Sequence, residues 1–199
     1  MLSENRKKFE IISEKVGKIF SKTGLSPNTF TLISLFFAII SFIFLIKINL
    51  ILAPIFFLFA AFLDLIDGAV AKFTNSATKK GAYLDTIFDR YVEGIIILGF
   101  LFLPLPNIFL PSKIWVFLCF FGSLMTTYAK AAAKEKELIT QELKKGLFER
   151  PERVILILLA MILGNFTFSF TVYILIIFAI FSNITALQRI FYNLFQKIN

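Results

Sequence analysis

The sequence predicts an all-α integral membrane protein with six transmembrane helices preceded by an amphipathic surface helix. Three observations carry this expectation. Of the 199 residues, 58% are hydrophobic and 27 are Phe, with a mean hydropathy of +0.82. That exceeds an ordinary soluble domain. The apolar residues fall in runs of membrane-crossing length, separated by short polar or proline-containing breaks. Lys and Arg gather at one set of helix ends, as the positive-inside rule requires. One membrane domain, residues 1–199, accounts for the length, with residues 1–24 as a juxtamembrane amphipathic helix and 25–199 as a six-helix bundle.

Residues 3–22 are too charged for the core of a signal peptide. Phe9, Ile12, Val16, Ile19 and Phe20 recur at helical spacing with lysines elsewhere, the pattern of a helix lying on a membrane surface. Gly24-Leu25-Ser26-Pro27-Asn28 breaks that helix, with Ser26 placed to cap the next one and Pro27 at its first position. The first span then runs from about Asn28 to Ile46 without a charge, and Lys47-Ile48-Asn49 is a tight turn. The second begins near Leu50. Its charge-free part ends at Leu63, about 14 residues or roughly 21 Å. A hydrocarbon core is about 30 Å thick, so this span continues through Asp64 and Asp67. The third ends near Leu103, before Pro104 and Pro106, and reaches crossing length only by including Asp89, Arg90 and Glu93, and with them Asp85. The fourth covers about Ser112 to Ala133 and carries Lys130, and a charged loop follows from Lys134 to Gly146. The fifth starts between Phe148 and Arg153 and ends near Gly164-Asn165. The sixth covers about Phe168 to Phe195 and carries Arg189.

Six spans put both termini on one side. Only Lys47 and Lys113 fall in the outer turns, and the other 19 of the 21 Lys and Arg lie at the opposite end with all 13 acidic residues. The termini are therefore expected in the cytoplasm, in a multi-pass protein of the cell membrane. The net charge of +8 then points to cytoplasmic loops and anionic head groups, not to nucleic acid. Histidine is absent, which excludes Ser-His-Asp and Cys-His catalysis and His-ligated zinc. The single Cys119 lies in an apolar run and excludes a disulfide framework.

The chemistry concentrates between Asp64 and Asp89. Asp64 and Asp67 are three apart and Asp85 and Asp89 four apart, so each pair shares a helix face. The polar turn Thr74–Lys80, ending in Gly81, makes the two helices antiparallel neighbours and brings the acidic faces together. Four clustered carboxylates repel one another until cations neutralise them, and hard oxygen ligands suit Mg²⁺, Mn²⁺ or Ca²⁺. Two such ions balance four aspartates. The inner ends of the later helices carry Lys130, Arg150, Arg153 and Arg189. Charges at that depth face a bundle interior or a wet cavity. The expected picture is one cytoplasmic cavity with an acidic wall for metal ions and a basic wall for phosphates.

Asp64-x-x-Asp67-Gly68-x-x-Ala71-Lys72, eight residues, then Gly81-x-x-x-Asp85-x-x-x-Asp89 resembles the signature of the CDP-alcohol phosphatidyltransferases. Lys72 stands where that signature has Arg, keeping the charge but losing the planar fork. The resemblance implies a cytoplasmic site holding two Mg²⁺ ions, with Mn²⁺ as the alternative. Asp64, Asp67 and Asp85 would be the main ligands. Asp89, the fourth metal residue, would also act as the base for an acceptor hydroxyl. It also implies that Gly68, Ala71, Lys72 and Gly81 contact the diphosphate. Asn28 and Thr31, in Leu-Ser-Pro-Asn-Thr-Phe-Thr, resemble the segment beside the cytidine. A CDP-linked lipid would be the donor, CMP the leaving group, and the protein a homodimer.

Ser123-Leu-Met-Thr-Thr-Tyr128-Ala-Lys130-Ala, Gly146-Leu-Phe-Glu149-Arg150-Pro151-Glu152-Arg153 and Thr185-Ala-Leu-Gln188-Arg189-Ile resemble members that use inositol phosphate. Lys130, Arg150, Arg153 and Arg189 would then bind the acceptor's phosphate. Alternatively, Glu149 and Glu152 pair locally with these arginines. Glycerol 3-phosphate fits the same cations, serine would be a non-phosphorylated alternative, and a divalent-cation carrier is the non-enzymatic one. The donor's tails, archaeol or diacylglycerol, stay open.

Overall fold

The protein is described by a computed structural model covering residues 13–139 and 146–195. Among these residues, a helical stretch at 13–21 precedes six α-helices. These are α1 (Pro27–Ile46), α2 (Leu52–Phe73), α3 (Lys79–Gly99), α4 (Ser112–Glu135), α5 (Arg150–Gly164) and α6 (Phe168–Phe195). A single 3-10 turn, Phe100–Phe102, continues α3. The described residues contain no strand, only an isolated bridge between Ile108 and Leu110.

The helix ends follow from local chemistry. Ser26 accepts from the Thr29 N–H at 3.3 Å, and Pro27 opens α1, where its missing N–H costs nothing. Ile48 turns the chain at φ +56°, and Asn49 Oδ1 accepts from the N–H groups of Ile51 and Leu52 at 3.2 and 3.0 Å. Thr78 caps α3 by accepting from the Gly81 N–H at 3.0 Å. Gly81 therefore lies in the first turn of α3, not at the end of the loop. Glu152 reaches back to the Glu149 N–H at 3.1 Å as α5 starts.

Four helices, α1, α2, α4 and α6, are long and apolar enough to cross a membrane. In α3 the charges of Lys79, Lys80, Asp85, Asp89, Arg90 and Glu93 interrupt the apolar pattern, and α5 is 15 residues long. Among the described residues the chain is thus all-helical, with four membrane-competent spans.

Two compact units make up the chain. The first comprises Met1–Ile43 and Ile55–Ile96, the second Phe44–Pro54 and Ile97–Asn199. In the first, Phe30, Ile66 and Val70 form a buried cluster against which Val16, Phe20 and Leu63 pack. Phe20 meets Phe30 and Phe62 edge-on. Gly17 permits this seating, because a Cβ there would stand 2.5 Å from the Ala69 carbonyl oxygen and 2.7 Å from Phe73 Cβ. The 13–21 stretch is therefore packed on α1 and α2, with Ile19, 63% exposed, on its outward side. Phe9 and Ile12 lie outside the described residues.

In the second unit α6 packs against both α4 and α5. Asn183 Nδ2 donates to the Leu118 carbonyl at 3.0 Å, and Thr126 Oγ1 donates to the Ser182 carbonyl at 3.2 Å. Gly122 lies against Ser182 and Asn183. Thr171 Oγ1 donates to the Ala160 carbonyl at 2.9 Å. These side chains satisfy their polar atoms on neighbouring helix backbones, as a low-dielectric interior demands. Cys119 is buried here, with its thiol 3.2 Å from the Leu175 carbonyl.

Candidate functional site

The acidic site belongs to the first unit. Asp64 and Asp67 stand on α2, Asp85 on α3, and their carboxylate oxygens come within 4.8 Å of one another. Asp67 is buried and Asp64 and Asp85 are half-buried. Three carboxylates this close, in partly desolvated surroundings, repel one another at several times their strength in water. All-oxygen donors with that convergence fit a hard divalent cation.

Around them the chain supplies two supports. Thr31 Oγ1 donates to Asp67 Oδ2 at 2.6 Å, which fixes that carboxylate's orientation. Ser34 Oγ donates to the Ala60 carbonyl at 2.8 Å, joining α1 to α2 one helix turn away. The space beside Gly68 is open, since a Cβ added there would meet nothing within 4 Å. Ala71 is half-buried, and Lys72, in the last turn of α2, is exposed. Asn28 lies close to Gly81, its Oδ1 3.3 Å from where a Gly81 Cβ would be. Asn28, Thr31, Gly68 and Gly81 thus belong to the same unit as the aspartates.

Asp89 lies one turn beyond Asp85 on α3 and is not one of the three carboxylates that converge. It is buried, and Arg90 lies beside it at 3.8 Å. Arg90 Nη1 in turn donates to Glu93 Oε2 at 2.8 Å. Four residues of helix raise Asp89 about 6 Å along the axis from Asp85.

The cationic residues belong to the second unit. Arg153 and Arg189 are buried, while Lys130 and Arg150 are half-buried. Arg189 Nη2 donates to both carboxylate oxygens of Glu149 at 2.7 Å, and Nη1 donates to the Thr126 carbonyl at 2.7 Å. Glu149 also accepts from the Gly146 N–H. Burial alone would raise the Glu149 carboxyl. The hydrogen bonds from Arg189 and Gly146 and the charges of Arg189 and Arg153 outweigh it, holding the group below its ordinary range. Beside the local influence of Arg153, Glu149 makes a long-range pair, to a residue 40 positions away. The Thr126 carbonyl could not be found from side-chain types, because the contact is made by backbone.

Among the described residues, helices long and apolar enough to cross a membrane and a trio of aspartates on two of the helices fit the class of membrane proteins that use a divalent metal. The family model for CDP-alcohol phosphatidyltransferase matches residues 25–187, and the chain belongs to that family. It is a transferase of phospholipid synthesis. The archaetidylinositol phosphate synthase of Pyrococcus horikoshii is 34% identical over 194 residues, covering 96% of this chain and 95% of that one. The crystal structure of Mycobacterium tuberculosis phosphatidylinositol phosphate synthase with CDP-DAG bound superposes with a TM-score of 0.78 at 25% identity, covering 92% of this chain and 94% of that one. A structure of the same mycobacterial enzyme in complex with manganese and citrate matches with a TM-score of 0.77 at 24% identity, covering 92% and 89%. The aspartate trio is a set of converging oxygen donors that fits a divalent metal.

Proposed function

We propose that this protein transfers a phosphatidyl or archaetidyl group from a CDP-linked lipid to a hydroxyl of inositol phosphate, releasing CMP. The observation that carries this reading is the convergence of Asp64, Asp67 and Asp85 within 4.8 Å. The Pyrococcus relative's name, archaetidylinositol phosphate synthase, supports the acceptor. In this reading all six helices cross the cell membrane as one domain, with termini and site in the cytoplasm and the 13–21 stretch at the membrane surface. Two copies associate.

Asp64, Asp67 and Asp85 would hold Mg²⁺, two ions with Asp89 bordering them, and Mn²⁺ would serve in its place. When bound, the cations supply positive charge to the diphosphate and to departing CMP. Asn28 and Thr31 flank the cytidine. Gly68, whose side is open, and Ala71, Lys72 and Gly81 border the diphosphate. Asp89 accepts the proton of the acceptor hydroxyl as its oxygen bonds to the lipid-side phosphorus and the bond from that phosphorus to CMP breaks. Lys130, Arg150, Arg153 and Arg189 gather the acceptor's phosphate. The buried Arg189 Nε, which has no acceptor among the described residues, supports this, because a buried donor is costly until it is paired.

The test is CMP release by the purified protein in detergent with Mg²⁺, using CDP-archaeol and CDP-diacylglycerol as donors. Inositol 1-phosphate, glycerol 3-phosphate, serine and free inositol are supplied one at a time as acceptors. The account predicts CMP with inositol 1-phosphate. Release with glycerol 3-phosphate alone would keep the mechanism and replace the acceptor, and release with serine or free inositol alone would overturn the phosphate site.

A further inference from the structure

The buried Arg189 guanidinium is held on two of its three nitrogens. Nη1 is spent on the Thr126 carbonyl and Nη2 on both oxygens of Glu149, each at 2.7 Å. The third nitrogen, Nε, is buried, and among the described residues no acceptor lies within hydrogen-bond distance of it. A guanidinium is planar, so fixing Nη1 and Nη2 fixes the direction of Nε–H. A buried donor left over costs stability, and a purely structural ion pair gains nothing from keeping one. The residue therefore keeps one donor for a further anion, and its plane is set by Glu149 and the Thr126 carbonyl.

Resting on the reading of Arg189 as a ligand of the acceptor's phosphate, we propose that Glu149 is a positioning residue for acceptor binding. Its carboxylate and the Thr126 carbonyl hold Arg189 so that the remaining Nε–H donates to that phosphate. Glu149 is itself anchored by the Gly146 N–H. Its carboxyl stays ionised at neutral pH, since its proton affinity is lowered by Arg189 and Arg153 against the opposing effect of burial. It occupies the N-cap position of α5, immediately before Arg150 and within one turn of Arg153. The same carboxylate that orients Arg189 thus sits at the head of the helix bearing the other two arginines.

The alternative is that Glu149 only caps α5, and two substitutions separate these roles. Glu149→Ser keeps a good helix cap but cannot reach Arg189, whereas Glu149→Gln keeps the size and loses the charge. The Michaelis constants for inositol 1-phosphate and for the CDP-lipid are measured with wild type, both variants, Arg189→Lys, and the Glu149→Gln/Arg189→Lys double variant. Both Glu149 variants should raise the acceptor constant about tenfold or more while the donor constant stays within about twofold. The double variant should be no worse than Arg189→Lys alone, because both changes remove one arrangement. An unchanged acceptor constant in either Glu149 variant, an equal rise in both constants, or additive losses in the double variant would overturn the positioning role while leaving the acceptor reading intact. If wild type turns over only with non-phosphorylated acceptors, the acceptor reading and this inference fall together.

Discussion

The hydroxyl of Thr31 on α1 donates to Oδ2 of Asp67 on α2 at 2.6 Å, with both residues buried. This contact gives Thr31 a role in orienting the carboxylate, in addition to the cytidine contact that the family resemblance implies. Groups that orient a metal-binding carboxylate typically change affinity or activity by about 10–100-fold when removed. Thr31→Val should therefore weaken Mg²⁺ dependence by about tenfold or more. The check is the Mg²⁺ concentration giving half-maximal CMP release. An unchanged value would leave Thr31 without that role.

Asp89 is not one of the three carboxylates that converge within 4.8 Å, and in the proposed reading it is the base, so metal binding and proton transfer should be separable. Asp89→Asn is predicted to lower CMP release at least about 100-fold, as expected for loss of a general base, while Mn²⁺ binding measured by calorimetry is largely retained. Asp85→Asn should lose both. Unimpaired turnover in Asp89→Asn would remove Asp89 from the role of base.

Gly17 is packed against backbone, not against a flexible side-chain end. A methyl group there would stand 2.5 Å from the Ala69 carbonyl oxygen, and Ala69 follows Gly68 in the aspartate motif. Gly17→Ala should destabilise by about 1–3 kcal/mol, the usual cost of overpacking. Thermal unfolding in detergent is the readout. An unshifted transition would mean that the 13–21 stretch moves away at no cost.

The Glu149 carboxyl lies below its ordinary value of 4.5 in the folded protein. The folded state therefore binds fewer protons than the unfolded state near that pH, and stability rises with pH there. The contribution is fully present above about pH 4.5 and is lost as pH falls through the lower folded value. The gap in melting temperature between wild type and Glu149→Gln should be widest near neutral pH and narrow in acid. A gap independent of pH would contradict the Arg189 and Arg153 pairing as its cause.

The helices and the aspartate trio were legible in the sequence because they depend on local spacing. Apolar runs set the helix positions, and carboxylates three residues apart on α2 face a neighbour across a short turn. Asp89 shows the limit of that reasoning. A spacing of four gives a shared face but also one turn of displacement, and spacing alone does not say how near Asp89 comes to the trio. Residues 3–22 were read as an amphipathic surface helix from their periodicity, and the structure describes 13–21 of them as helical. The close seating of 13–21 on α2 depends on the absent side chain of Gly17 and the positions of Ala69 and Phe73, which no pattern within the stretch records. The Glu149–Arg189 pair was invisible for the same reason. It joins residues brought together only when α6 packs on α4 and α5, and one of the three hydrogen bonds that anchor Arg189 goes to a backbone carbonyl.

The most direct measurement is product analysis with the wild-type protein. CDP-archaeol or CDP-diacylglycerol, inositol 1-phosphate and Mg²⁺ are supplied, and CMP and lipid products are quantified by mass spectrometry. The account predicts CMP and a lipid-linked inositol phosphate in equal amounts, both lost on chelation of the metal. CMP without that lipid product, or turnover indifferent to chelation, would contradict it.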